Sequence, residues 1–365
     1  MSIDSAWRLI PLYKKQIRPF LRTFFFSFLN RLAKTDEFRS IINQTLNNQL
    51  VLPELDKSFL LNHAYQNYPE LGRSSDIPAD MCSCRKTIFI TGRFRSGTTL
   101  LWNIFRQVQS FTAYYEPFNE RRWFDPSIRG KNTDATHIGV DNYWREYDGL
   151  EALSSVYQES WIDRDLYMSG SSWNPRMKQY IDILIERAKN IPVLQFNRID
   201  FRLPWIKANY PDSSIIHIFR NPRDQWCSFI GEQNISCIYA EIKELDSIDR
   251  FYLNSWGEDL KYFFPFLDKK DLKYAYELFF LIWKLSYCFG IKFSDISIPF
   301  ERIVDDPKVQ MDLVCNCLNI ELMDETILDK LVNKSLIEKW KPSISDSWFR
   351  QIESKCEGLI EKYYR

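Results

Sequence analysis

One short stretch constrains this chain more than any other. Residues 86–91, KTIFIT, form a β-branched, apolar run that suits a strand buried on both faces. Residues 92–99, GRFRSGTT, are small and basic, and residues 100–108 resume helical periodicity. Strand, loop and helix in that order open an α/β nucleotide-type fold. A glycine-containing turn before a helix N-terminus aims backbone N–H groups at one point. The helix dipole adds positive potential there, so the place suits phosphate or sulfate. A nucleoside-triphosphate loop would read G-x-x-x-x-G-K-[ST]. The glycine spacing matches, but Thr98 stands at the lysine position and the cation comes earlier, as Arg95. No strand-terminal Asp suited to magnesium stands out, so the usual parts for Mg-ATP are lacking.

The rest of the chain extends the same architecture. Residues 1–80 read as a helical extension with polar connections, closing in LGRSSDIPAD; residues 81–365 read as one α/β domain. Further strands are expected at residues 191–196, 214–219 (SIIHIF) and 297–300, with helices through 240–290 and a helical tail. Residues 121–190 are rich in Trp, Tyr, Asn, Asp and Arg and weakly periodic until a helix near 176–188, which suggests an insertion capping the site. The expected fold is α/β, a P-loop-like central parallel sheet flanked by helices, with an N-terminal helical segment and an inserted cap.

Charge narrows the partners. Lys plus Arg equals Asp plus Glu, 48 each in 365 residues, so no basic field supports sequence-independent nucleic-acid binding. The eight cysteines include two pairs with one residue between, not a zinc spacing, and only three histidines accompany them; reduced thiols are the plain reading. The Phe-rich run at residues 20–29, FLRTFFFSFL, is about half the length of a spanning helix. Across residues 14–34 it has basic flanks. It suits an amphipathic helix packed on the main domain, or one lying on a membrane surface, with a signal-anchor as the remaining alternative. A cytoplasmic protein, with membrane-surface association left open, is expected.

A second motif follows the strand at 214–219: Arg220-Asn221-Pro222-Arg223-Asp224-Gln225-Trp226-Cys227-Ser228. An arginine at the C-terminal edge of a parallel strand points into the crevice where such folds bind ligands, and a serine on the next helix reaches the same place. Arg220 and Ser228 suit a second phosphate, separate from the first.

Together, TGRFRSGTTL and IIHIFRNPRDQWCS resemble the 5′-phosphosulfate and 3′-phosphate motifs of the PAPS-dependent sulfotransferases (PAPS is 3′-phosphoadenosine 5′-phosphosulfate). The likeness is to the branch with arginine in the loop, which includes tyrosylprotein and many bacterial and Golgi-type enzymes. PFERIVDDP at 299–307 and KLVNKSLIEKW at 330–340 are similar to later segments of that family. The resemblance implies PAPS as donor, PAP as product, a hydroxyl-bearing acceptor and no metal. It implies that Arg95 stabilises the leaving group, with Arg93, Ser96, Gly97, Thr98 and Thr99 at the 5′-phosphate side. Arg220 and Ser228 would hold the 3′-phosphate, and Lys330 would contact the cofactor. An arginine expected one turn after Ser228 is Glu232, a departure from the tyrosylprotein pattern. Carbohydrate, lipid, phenol and tyrosine acceptors all stay open.

In-line sulfuryl transfer calls for a base at the acceptor hydroxyl. The resemblance implies a glutamate after the first helix, and Glu116 in Tyr114-Tyr115-Glu116-Pro117 fits, with Glu120 as runner-up. The alternative for Glu116 is a turn cap paired with Arg121 or Arg122. Asn197 stands near the place where cytosolic relatives carry a histidine, and His63, His137 and His217 read as structural. The insertion's Trp123, Tyr143, Trp144, Tyr147, Trp161 and Trp173 read as core more than as a ligand-stacking surface. A small-molecule kinase and a non-catalytic nucleotide binder are the competing functions.

Overall fold

The computed structural model describes residues 87–364 apart from Ala135, 321–325, 333–339 and 341–343. The 80/81 boundary, the Phe-rich segment, His63, Cys82 and Cys84 lie outside the described residues.

Five parallel strands form one sheet in the order β2-β3-β1-β4-β5. They are β1 (Ile88–Thr91), β2 (Phe111–Tyr115), β3 (Ile191–Phe196), β4 (Ser214–Phe219) and β5 (Ile296–Pro299). The central β1 is buried along its whole length between β3 and β4, as its unbroken apolar pattern requires. Helix α1 (Thr98–Arg106) follows the first loop, α2 (Pro175–Arg187) ends the insertion, α3 (Leu203–Asn209) precedes β4, and α4 (Pro222–Ile230) carries the second motif. Then come α5 (Leu253–Leu260), α6 (Ala275–Phe293), α7 (Phe300–Asp305), α8 (Pro307–Leu318), α9 (Thr326–Leu331) and α10 (Asp346–Tyr364). Asn174 and Asn221 cap α2 and α4 by accepting backbone N–H bonds, each ahead of a proline at the first helical turn.

The segment at 111–115 is a full member of the sheet, paired with β3. Residues 240–274 hold short 3₁₀ turns and two brief α-helices, Leu245–Ile248 and α5, so helix is sparser there than expected until α6. That helix is buried along Ala275–Gly290, and its charged residues are paired onto α10: Glu277 with Lys355, and Lys284 with Glu357. A helix apolar on all sides belongs in the core, and the charges it carries there need partners. Among the described residues no helix is long and apolar enough to cross a membrane.

The insertion shares the core instead of standing apart from it. Trp123, Tyr143, Tyr147 and Trp161 are buried, Trp144 is partly so, and Trp173 alone of the six is 89% exposed. Arg202, fully buried after β3, donates to the carbonyl oxygens of Trp161, Arg164, Asp165 and Arg198. One side chain thus stitches the irregular insertion to the segment that follows β3. The six described cysteines are all free thiols.

Candidate functional site

Parallel strands send their loops to one edge of the sheet, and at the C-terminal edge four of those loops converge. From β1 comes the 92–99 loop, from β4 the 220–228 motif, from β3 Asn197 and Arg198, and from β2 Glu116.

The first loop is wound tightly. Arg95 has φ 68° and Gly97 has φ 99°, so the chain turns twice through the left-handed region just before α1. Such turns make an anion-binding concavity of backbone N–H groups. The Ser96 hydroxyl is buried with no hydrogen-bond partner among the described residues. The loop is tied to the second motif at three points. Gln225 Nε2 donates to the Phe94 carbonyl at 2.6 Å, Arg220 Nη1 to the Arg95 carbonyl at 3.4 Å, and Arg95 Nε to Ser228 Oγ at 2.9 Å. The Arg220 guanidinium lies 5.0 Å above the Phe300 ring. On that same ring a Cβ at Gly97 would collide.

The two threonines of the loop point their hydroxyls at protein groups. Thr98 donates to Asn197 Oδ1 at 2.8 Å, and Thr99 bonds the Tyr115 hydroxyl at 3.1 Å. Arg93 is buried with its guanidinium 4.1 Å over Trp256, and desolvation, partly offset by Asp200 and Asp249, lowers its pKa to about 10. The structure therefore sets the Arg93 guanidinium against Trp256, while Arg95, with which the sequence grouped it at the 5′-phosphate side, turns to Ser228. Lys330 is exposed near the end of α9. The Glu232 side chain lies outside the described residues.

Glu116 is buried and strained at φ 37°. Its Oε1 accepts from Asn197 Nδ2 at 2.5 Å, and its Oε2 accepts from Arg198 Nη1 and Asn119 Nδ2, both at 2.7 Å. Its arginine partner is thus Arg198, not Arg121 or Arg122, which bond the Asn132 carbonyl and Glu159. Arg198 also holds Glu120 at 2.7 Å, so the two candidate bases share one guanidinium. Asn197 joins this carboxylate to the first loop through Thr98. Sequence reasoning missed Arg198, although the same rule that selected Arg220, a cation at the C-terminal end of a parallel strand, applies to it.

His217 is buried within β4 and bonds Ser297 Oγ through Nδ1 at 2.5 Å, a structural role as read. His137 is different. The insertion brings it beside Tyr115, whose ring centroid lies 6.4 Å away, and near Asp134, which pairs with Arg95 at 3.8 Å. Its irregular surroundings left no periodic signal by which to place it.

Residues 87–263 match the model of the sulfotransferase family. No curated protein matches the chain. Among solved structures, a sulfotransferase domain from a Synechococcus olefin synthase is 14% identical and covers 80% of this chain and 99% of its own, with a TM-score of 0.40. A sulfotransferase from Alicyclobacillus acidocaldarius is 18% identical, covering 76% and 97%, with a TM-score of 0.37. One from Mycobacterium avium is 14% identical, covering 84% and 82%, with a TM-score of 0.39. The match over residues 87–263, which takes in both anion-type loops and the buried glutamate, makes that part of the chain similar to the sulfotransferase family.

Proposed function

We propose that the chain transfers a sulfuryl group from PAPS to an acceptor hydroxyl. The observation that carries this reading is the union of two anion-suited loops by the Arg95–Ser228 and Arg220–Arg95 bonds, which sets two seats for negative charge side by side. A 3′,5′-bisphosphorylated nucleotide needs two such seats. The unpartnered, buried Ser96 hydroxyl and the left-handed turns at Arg95 and Gly97 fit the 5′ end. Arg220 and Ser228 fit the 3′ end.

When bound, the donor supplies an activated sulfuryl group: one S–O bond to phosphate breaks, and one to the acceptor oxygen forms. Arg95 and the loop N–H groups neutralise charge on the departing phosphate, which is the larger part of such catalysis. Glu116 takes the acceptor proton. Three of its roughly four lone-pair directions are filled by Asn197, Arg198 and Asn119, which fixes the carboxylate and leaves one direction for a hydroxyl.

PAP binding by calorimetry tests this reading. Wild type should bind PAP without magnesium and in preference to ATP. Arg220→Ala should weaken PAP by about 10- to 100-fold, the scale of a charge-assisted bond to phosphate. Preference for Mg-ATP, or indifference to the loss of Arg220, would return the chain to the phosphoryl-transfer or plain nucleotide-binding classes.

A further inference from the structure

The insertion delivers a histidine to the donor site with its tautomer fixed by neighbours. The backbone N–H of Asp134 donates to the Tyr143 hydroxyl oxygen at 2.9 Å, and that oxygen lies 2.5 Å from His137 Nδ1. Tyr143 is buried, and burial first of all raises its pKa, so it keeps its proton. Among the described residues Nδ1 is the only acceptor in reach of that proton. Tyr143 therefore donates to Nδ1, and the proton of the neutral imidazole resides on Nε2. Nε2 has no hydrogen-bond partner among the described residues, and the ring is half-buried.

Three contacts bring this ring to the first loop. Asp134, three positions earlier in the chain, pairs with Arg95. Tyr115 stacks on Tyr143 at 4.5 Å, faces the His137 ring edge-on, and bonds Thr99 at the start of α1. The charged groups facing His137 are Asp134, Arg95 and Glu116; burial, ahead of these, lowers its pKa and favours the neutral ring. A neutral imidazole that donates from Nε2 next to a cationic anion seat is built to hydrogen-bond an anionic oxygen, not to accept a proton.

We propose that His137, held as its Nε2–H tautomer by Tyr143, donates a hydrogen bond to the sulfuryl end of the donor whose phosphates the two loops hold. The assignment rests on the PAPS reading above. It makes the insertion part of donor recognition, and it gives the chain a means to tell PAPS from PAP, which lacks the sulfuryl group.

The test compares affinities of the intact chain for PAPS and for PAP. His137→Ala should weaken PAPS by about tenfold or more relative to PAP, the scale of one hydrogen bond to a charged group. His137→Gln, whose amide nitrogen stands near the Nε2 position, should keep most of the preference; His137→Asn, which mimics Nδ1, should lose it. Ring ¹⁵N shifts should show protonation at Nε2 in wild type and a mixed tautomer in Tyr143→Phe. Equal weakening of PAPS and PAP, a preference unchanged in His137→Ala, retention by Asn in place of Gln, or an Nδ1–H tautomer would each overturn the proposal while leaving the donor reading intact. Wild type that binds no PAP at all would overturn both.

Discussion

Gly97→Ala should lose PAP binding by about 100-fold or more and lower stability by about 2–5 kcal/mol, combining left-handed backbone strain with overpacking. The residue sits at φ 99° as the N-cap of α1, a conformation a side chain resists. A Cβ there would fall 2.2 Å from Phe300 Cδ2, far inside contact distance. Relief can come two ways, and each damages the site. If Phe300 shifts, the Arg220 guanidinium resting 5.0 Å above its ring loses its platform. If the loop shifts, the Arg95–Ser228 bond and the cluster of N–H groups open. One methyl group thus reaches both anion seats through a single ring. Thermal melts and PAP titration on the variant check this; near wild-type values in both would show that the loop has slack the packing denies.

The second large effect is acid instability centred on His217. Burial alone depresses its pKa from 6.5 to about 3. In the unfolded chain the imidazole binds a proton near 6.5, whereas the folded chain refuses it until about pH 3. The unfolded state therefore holds the extra proton throughout that window. Stability is complete above pH 6.5 and falls as pH drops toward 3, by about 5 kcal/mol in all at 1.36 kcal/mol per unit. The site has no means to accept the charge. His217 bonds Ser297 on the paired strand, stacks on Phe219 and is crowded by Gly290 of α6, where even a Cβ would lie 2.2 Å from Nδ1. Urea unfolding from pH 7 to 4 on wild type and His217→Phe isolates the term, since the other titrating groups are common to both. The wild-type profile should be steeper by one proton; parallel profiles would assign the acid limb to other groups.

Much of the fold was legible because its signals are local. An apolar β-branched run is a buried strand by composition alone, and β1, β3 and β4 lie where KTIFIT, IPVLQF and SIIHIF predicted. The likeness to the sulfotransferase family was legible for the same reason: the phosphate-type loop and the RNPRDQWCS motif are contiguous, and their chemistry depends on residue order within a few positions. Strand 111–115 was harder, because its sequence, FTAYY, gains its strand character from pairing with β3.

Tertiary structure decided the partners of each charge. Arg93 and Arg95 are two residues apart in one basic loop, yet one is stacked on Trp256 from α5 and the other is bonded to Ser228 from α4. Nothing in a loop's composition says which guanidinium turns inward; the aromatic shelf that receives it is more than 160 residues away in sequence. Glu116 acquires Arg198 and Asn197 in place of its sequence neighbours Arg121 and Arg122 because β2 and β3 are adjacent strands whose ends meet at the same sheet edge. His137, in a segment with no periodicity to place it, becomes a neighbour of Arg95 through Tyr143 and Tyr115. By itself the sequence determined the strand–loop–helix unit and the two anion motifs, since these are short-range patterns of conformation and charge. Only the folded chain decided which cations meet at the sheet edge, which carboxylate is clamped and which histidine comes beside Arg95, because those depend on long-range pairing and burial.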